Sequence, residues 1–412
     1  MNALLSKPVR LWRRAERSRA VLPMLFAVCL CCAGSSMLMT AVSLRLGQGD
    51  IDPTLSQIVL TVYPIGFLLG CMMTKPFVVR FGHEAVFMAV LGFAFLSGLG
   101  FVLFDSLAVW IALRFAGGLA MAAMFVICES WMNLFATQRD RGTMFGLYMI
   151  STSSAVLLGQ VVIGLIGPTS PYVFEVALAF AALAFLPRVV GRRWPTLLPS
   201  DDADASVLPS LGRLRLAQLL RMAPVAVVGV FQSGITNMNV FVLTPIYSTQ
   251  IGLPAATAVA LVTTVSIAGM LAQAPVGWLS DRFDRRLILL MQSALALGCC
   301  FAIAAIGTGS VPLLFALFFL YGSAALTIYP VAVAHANANL PSRHMVAASG
   351  TFLLIYSVGN VGTPGLAAGL MASTAPQAMF AILGAGALAV ALASAWSLLR
   401  RPVAAATQGA KP

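Results

Sequence analysis

Charge is what this chain has least of. Only 9% of its 412 residues are Asp, Glu, Lys or Arg, while 60% are apolar; an ordinary soluble domain carries about 25% charged residues. A water-soluble core of this size is excluded, because there is too little polar surface to cover it. Disorder is excluded too, since disordered chains are poor in apolar residues. Histidine occurs three times. His335 stands alone near the end of an apolar run and His344 lies in a loop, so no His/Asp cluster or paired acid and base suggests an enzyme. No phosphate-binding Gly-x-x-x-x-Gly-Lys loop is present, which excludes ATP-driven pumping by this chain. Cys29, Cys31, Cys32, Cys71, Cys128, Cys299 and Cys300 all fall within apolar runs. They read as small buried apolar side chains, without a disulfide framework or metal site. No cofactor is implied.

What the chain has in abundance is long apolar runs. Charges and turn residues divide it into twelve segments, near 21–44, 55–78, 85–104, 107–133, 143–167, 172–190, 223–248, 255–279, 286–307, 311–336, 345–370 and 376–399. A membrane-crossing helix needs about 20 residues at 1.5 Å rise, and each segment is long enough. The runs are continuous rather than alternating with period two, so helices are expected instead of barrel strands. The expected fold is an all-α membrane protein of twelve transmembrane helices.

The net charge of +12 acquires meaning from its placement. With the N-terminus cytoplasmic, every lysine and arginine except Arg45 and Arg114 falls on the inner side of the predicted spans. This is the bias of the positive-inside rule, so the charge reports topology and not nucleic-acid binding. The first apolar run follows a basic segment, as a secretory signal would. It is long and precedes eleven more spans, so it is expected to remain as the first helix. Both termini are expected in the cytoplasm, in a multi-pass protein of the cell inner membrane.

The most polar stretch, 191–222, divides the chain into an N-terminal six-helix bundle (1–190) and a C-terminal six-helix bundle (223–412). Within it an acidic linker around Asp201, Asp202 and Asp204 precedes an amphipathic segment, Ser210 to Arg221, expected to lie on the inner membrane face. The halves echo each other at an offset near 200. Arg80-Phe81 recurs as Arg282-Phe283; Asn133, Arg139 and Gly146 recur as Asn337, Arg343 and Gly350; Gly34 recurs as Gly234. Six spans plus six related spans indicate internal duplication, a usual construction of secondary transporters.

The sharpest motif is Gly277-Trp278-Leu279-Ser280-Asp281-Arg282-Phe283-Asp284-Arg285-Arg286. It resembles the signature loop of the major facilitator superfamily, with Asp284 where that family commonly has its second glycine. The N-half counterpart, Lys75 to Glu84, keeps Arg80 and Gly82 but has Val79 in place of the aspartate. Glu129-Ser130-Trp131-Met132-Asn133 is similar to the YcaD-like branch of that superfamily. The resemblance implies two pseudo-symmetric six-helix bundles and transport by alternating access. Gly277, Asp281 and Arg282, with Arg80 and Glu129, are candidates for inner gates and latches: a charged pair at a helix end can make salt bridges that break and reform as the bundles move. Arg114-Phe115-Ala116-Gly117-Gly118 resembles the family's fourth-span motif. The proline-containing fifth-span motif of drug/proton antiporters is absent, since Leu158-Gly159-Gln160 continues without one.

Arg114 and Glu129 are the two ionisable groups of the fourth span. Fifteen residues of helix separate them by about 22 Å, so they do not pair. A guanidinium in hydrocarbon costs roughly 3 kcal/mol or more and should face the bundle interior or water. Arg114 therefore reads as a substrate or proton-coupling group, or as an arginine that snorkels to the outer interface and bonds carbonyls. Glu129 reads as a latch for Arg80 or as a proton carrier. Ser36, Tyr63, Gln160, Asn237, Asn239, Tyr356 and Asn360 are candidates for substrate contact near the midplane, or else interhelical hydrogen bonds. Gly66-x-x-x-Gly70, Gly142-x-x-x-Gly146 and Gly365-x-x-x-Gly369 read as helix-packing sites. One intramembrane arginine well inside the bundle disfavours a multiply charged anion. The expected function is secondary transport of a small neutral, zwitterionic or amphipathic solute by a monomer in the lipid bilayer, with proton coupling left open. The alternatives are an uncoupled facilitator and a non-transporting membrane receptor or signalling protein of the same fold.

Overall fold

The computed structural model describes residues 2–48, 53–135, 141–191, 216–306, 309–340 and 345–400; for some of these, chiefly 2–21, 133–135, 141–146 and 345–347, only the helical backbone is described. The acidic linker, the first part of the predicted amphipathic segment, Arg139 and Arg343 lie outside the described residues, and of Asn133, Arg141, Gly142 and Gly146 only the backbone is described.

The first half comprises α1 (Asn2–Gln48), α2 (Pro53–Phe81), α3 (His83–Leu103), α4 (Leu107–Phe135), α5 (Arg141–Ile166), α6 (Val173–Leu183) and α7 (Leu186–Val189). Helix α8 (Leu216–Met222) leads into α9 (Pro224–Met238), a π-helical turn (Asn239–Leu243) and α10 (Thr244–Gln250). The remainder comprises α11 (Ala255–Arg282), α12 (Arg285–Ile306), α13 (Val311–Ala325), α14 (Ile328–Asn339), α15 (Met345–Ser373) and α16 (Ala378–Arg400). Eleven of these stretches are long and apolar enough to cross a membrane by length and composition.

The predicted sixth span departs from a single helix. It is the pair α6 and α7, the first only 11 residues long. Pro187 has no amide hydrogen to give the carbonyl of Leu183, so the regular ladder breaks. The amide of Phe185 turns back to the carbonyl of Ala182 (3.1 Å), and that of Arg188 to Phe185 (2.9 Å).

The chain divides into two compact units, one of residues 1–210 with 253–263, the other of 211–252 with 264–412. Within the first, α2 packs on α4, α1 on α5 and α6, and α3 on α4 and α6. Within the second, α9 packs on α14, α15 and α16, and α12 on α13 and α16. Leu219, Val230, Leu289, Ile328, Phe352 and Val390 form the heart of the second unit's core.

The duplication is recorded in how the backbones touch. A methyl on Gly118 would overlap the carbonyl oxygen of Tyr63, and one on Gly322 would come within 2.7 Å of the carbonyl oxygen of Val265. Likewise a methyl on Gly159 would overlap the carbonyl of Ala33, and one on Gly359 that of Phe231. Both pairs repeat near the 200-residue offset read from the sequence. Hydrocarbon provides no hydrophobic drive between helices, so close backbone approach through small residues is what holds them together.

Arg45, one of the two cations outside the inner-side bias, has a local explanation. Its guanidinium lies 4.5 Å from the Phe174 ring centroid and 5.6 Å from that of Trp110, and 3.9 Å from Asp105. Aromatic faces and an acid hold this cation in the last turn of α1.

These crossings can be tested. Gly322→Ala should lower the melting midpoint of the purified protein, by the equivalent of about 1–3 kcal/mol of overpacking. Gly298→Ala, where the added methyl meets nothing within 4 Å, should leave it unchanged or raise it slightly, alanine being the better helix former. Equal midpoints for the two variants would refute the assignment of Gly322 to a backbone contact.

Candidate functional site

In the first unit the α2–α4 crossing sets the site. Gly66 meets the carbonyl of Phe115 and Gly118 that of Tyr63, at approaches that no side chain would permit. Arg114 precedes Gly118 by four residues, so the two share one face of α4, a turn apart. The crossing therefore carries Arg114 over Tyr63, with Cζ 4.7 Å from the ring centroid. This is a physical reason for an arginine four residues before a glycine in the fourth-span motif. Arg114 is 3% exposed, and its Nε and Nη2 are buried without a hydrogen-bond partner. No acid lies within salt-bridge distance of it among the described residues. The arginine is thus inside the bundle, and those two nitrogens do not bond carbonyls as a snorkelling side chain would. The Tyr63 hydroxyl reaches Ser35 Oγ on α1 at 3.3 Å.

At the next residue of α1, Ser36, the polar groups are fully engaged. Gln160 Nε2 donates to Ser36 Oγ (2.7 Å) and to the Ser36 carbonyl (3.1 Å). Thr40 Oγ1 donates to Gln160 Oε1 (3.0 Å), and Ser36 Oγ donates to the Val156 carbonyl (2.9 Å). Ser36 and Gln160 tie α1 to α5 in this conformation.

In the second unit the seventh span is interrupted by the π turn at 239–243, which the sequence reading passed over. Its signal was Pro245: without an amide hydrogen it leaves the carbonyl of Phe241 unpaired in an α ladder, and the wider turn adjusts for this. The turn starts at Asn239, whose Nδ2 donates to the Ile235 carbonyl (2.6 Å) and to Thr363 Oγ1 on α15 (2.8 Å). Its Oδ1 is buried without a partner, as is Asn360 Oδ1. Asn360 stands at the 200-residue offset from Gln160, but its side chain is one methylene shorter. Gln232 donates to Thr236 Oγ1 and to the Leu383 carbonyl, both at 3.2 Å. Asn237 is half-buried. Tyr356 is half-buried with its ring 5.6 Å from that of Tyr329.

The loop between α11 and α12 is an ordered electrostatic joint. Asp281 at the end of α11 pairs with Arg285 at the start of α12 at 3.2 Å, and Arg282 lies 3.9 Å over the Trp278 ring. Asp284 supplies what a glycine could not. Its carboxylate accepts the Arg286 amide (2.8 Å), capping α12, and also takes Arg286 Nη2 (2.6 Å) and Nε (3.1 Å). Arg286 Nη1 then donates to the Ser397 carbonyl on α16 (2.9 Å). Gly277, expected to allow close packing, has nothing within 4 Å of an added methyl.

On the N-half side, Arg80 is exposed with its guanidinium 5.2 Å from the Phe81 ring centroid. Glu129 is half-buried near the C-terminal end of α4; the two form no ion pair with each other in this conformation. The residues after Glu129 join α4 to α3. His83 Nε2 and Ser130 Oγ are 2.8 Å apart, and the buried Trp131 stacks on His83 (5.7 Å) and meets Phe87 edge-on (5.2 Å). His83 was visible in the sequence only as part of a degenerate loop copy.

Related sets of long apolar helices with polar groups buried in their spans have the make-up of a polytopic membrane protein. The chain belongs to the major facilitator superfamily, whose family model matches residues 24–269 and 225–412, and stands in its YcaD-like branch. It is 29% identical over 374 residues to an uncharacterised transporter of this superfamily from Enterobacter sp. (strain 638), covering 89% of this chain and 92% of that one. It is 28% identical over 373 residues to the uncharacterised transporter YcaD of Escherichia coli O7:K1, with the same coverage. Among solved structures it is similar to the nucleoside transporter NupG (TM-score 0.72, 13% identity, 92% of this chain and 99% of that one). It is also similar to a D-xylose-proton symporter (TM-score 0.68, 16% identity, 92% and 96%). The two structures establish the fold alone.

The Asp284 cap has a pH signature. The Arg286 guanidinium beside it holds its carboxyl below the ordinary value, burial opposes this in part, and the Arg286 amide adds to it. A carboxyl lowered in the folded state stabilises at pH above its unfolded value, near 3.9, and that contribution fades as pH falls through the lower folded value. Asp284→Asn keeps a capping oxygen but loses the charge paired with Arg286, and should therefore melt below the native protein by the equivalent of about 1 kcal/mol at neutral pH. The gap should narrow below about pH 4. A gap that stays constant on acidification would show that the carboxylate charge is not what matters.

Proposed function

We propose that this secondary transporter moves a small neutral, zwitterionic or amphipathic solute across the cell inner membrane by alternating access. The two six-span units would move as bodies, with N- and C-termini in the cytoplasm and a single chain as the working unit. The observation that carries this reading is that buried polar atoms lack partners in both related units: Arg114 Nε and Nη2 in the first, Asn239 Oδ1 and Asn360 Oδ1 in the second. Each such atom costs about 1–3 kcal/mol where it has no partner, and a polar solute supplies one. Tyr63 in the first unit, and Asn237 and Tyr356 in the second, are further candidates for substrate contact. Ser36 and Gln160 support the first unit's site by fixing α1 against α5.

The inner loop is the proposed gate. Asp281 and Arg282 are exposed near the end of α11, where their contacts can exchange as the units move, and Gly277 offers an open face for a transient approach. Arg80 and Glu129 are the corresponding N-half pair, meeting in the inwardly closed state. Glu129 also suits a proton carrier, which would make transport proton-coupled; without that role the protein is a uniport facilitator.

Purified protein in proteoliposomes should take up or release at least one member of a solute panel. A cysteine introduced by Asn237→Cys should become reactive to an impermeant thiol reagent from one face and then the other as solute is added. Reactivity confined to one face under all conditions would rule out alternating access. A proton-coupled protein should accumulate solute under an imposed pH gradient and lose this in Glu129→Gln. Equal accumulation with and without the gradient would select the facilitator.

A further inference from the structure

The unpaired nitrogens of Arg114 are not any two of its three. In a planar guanidinium the Nε–H and the Nη2–H on the side away from Cδ project in parallel from one edge, at a spacing that matches the two oxygens of a carboxylate. Both atoms are buried and without partners. The vacant part of Arg114 is therefore a complete bidentate fork. We infer that the transported solute carries a single carboxylate that docks on this edge, an assignment that rests on the transporter reading above and narrows it.

Three further observations point the same way. The described residues provide no acid within salt-bridge distance of Arg114, so its charge lacks a counter-ion from them. Tyr63 covers a face of the guanidinium at 4.7 Å; this shields the cation from hydrocarbon and leaves its edge available, since cation–π contact uses the face and hydrogen bonding uses the edge. Gly118, on the same side of α4, is locked against the Tyr63 carbonyl, so ring and fork are held in register by backbone contact. A hydroxyl or amide carbonyl could fill one of the two donors but would leave the charge uncompensated. A carboxylate satisfies both with charge-assisted bonds and neutralises the site. One unpaired cation matches one negative charge, which selects a monocarboxylate or a zwitterion over a dicarboxylate.

The test uses the purified full-length protein and three sodium carboxylates, formate, hexanoate and benzoate, each set against its amide. At least one carboxylate should raise the melting midpoint by about 2 °C or more at saturation, as a ligand of the native state does, while its amide does not. Arg114→Lys keeps the charge but has no fork, and should melt normally yet lose the carboxylate response. The contrast between acid and amide is read on the native chain, so it stands even if the variant fails to fold. Equal responses to acid and amide, no response to any of the three acids, or a response retained in Arg114→Lys would each overturn the assignment. Proteoliposome flux separates this from the transporter reading. Transport of a neutral solute undiminished by Arg114→Lys would overturn the carboxylate site and leave the transporter standing.

Discussion

Close backbone contact between helices is the constraint on which the rest of this structure depends. In water, apolar side chains drive helices together; in hydrocarbon, lipid tails solvate leucine as well as another helix does. The chain answers with glycines at the crossings, where carbonyl oxygens of one helix lie against the bare Cα of the next. Gly118 on the Tyr63 carbonyl and Gly159 on the Ala33 carbonyl settle how α2, α4, α1 and α5 meet. Every polar side chain of the first unit's site hangs from one of these contacts. Arg114 is a turn from Gly118, Gln160 is next to Gly159, and Ser36 follows Ala33 by one turn.

The same contacts explain how duplication became asymmetry. Gly322 and Val265 repeat the crossing of Gly118 and Tyr63, and Gly359 with Phe231 repeats that of Gly159 with Ala33. The backbone scheme is shared, but the side chains carried on it differ. Phe318 stands at the offset position of Arg114, and Val265 at that of Tyr63, so the cation and its aromatic cover belong to the first unit alone. In exchange, Asn360 replaces Gln160. The longer amide spans the gap and makes three hydrogen bonds; the shorter one leaves its carbonyl oxygen unpaired. Loss of one methylene turns a helix tie into an unsatisfied acceptor.

Much of the architecture was legible before any helix was placed, because the bilayer imposes a length and a charge rule that can be read along one dimension. The apolar runs at 85–104 and 286–307 became α3 and α12 almost residue for residue. For Arg114 the cost of a cation in lipid left two placements open, the bundle interior and the outer interface, and only its burial against Tyr63 separates them. What escaped the sequence reading depends on partners distant along the chain or on single amide hydrogens. Pro187 splits the sixth span and Pro245 accompanies a π turn, yet Pro64, Pro76, Pro275 and Pro364 lie within helices that continue. A proline marks a place where the ladder can fail, and packing decides whether it does. Arg45 looked like an exception to the charge rule until Phe174 and Trp110 appeared around it. Asp284 looked like a departure from the signature loop; it is the cap of α12.

That last residue shows how motif and mechanism diverge. A glycine at position 284 would give the loop conformational freedom, whereas Asp284 ties Arg286 to the first turn of α12 and, through Arg286, to the carbonyl of Ser397 on α16. The joint between α11 and α12 is thereby braced on its α12 side, while Asp281 and Arg282 remain exposed on the α11 side. Exposed ion pairs are worth little, about 0–1 kcal/mol, and so can be exchanged at low cost; a capped, bidentate, half-buried pair resists exchange. A gate needs both kinds. Contacts that break must be weak, and the lever they act on must be stiff enough to carry the motion to the spans. The division within six consecutive residues follows from which of the charges are shielded from water: Asp281 and Arg282 are exposed and suit the proposed gate, while Asp284 and Arg286 hold the helix end in place.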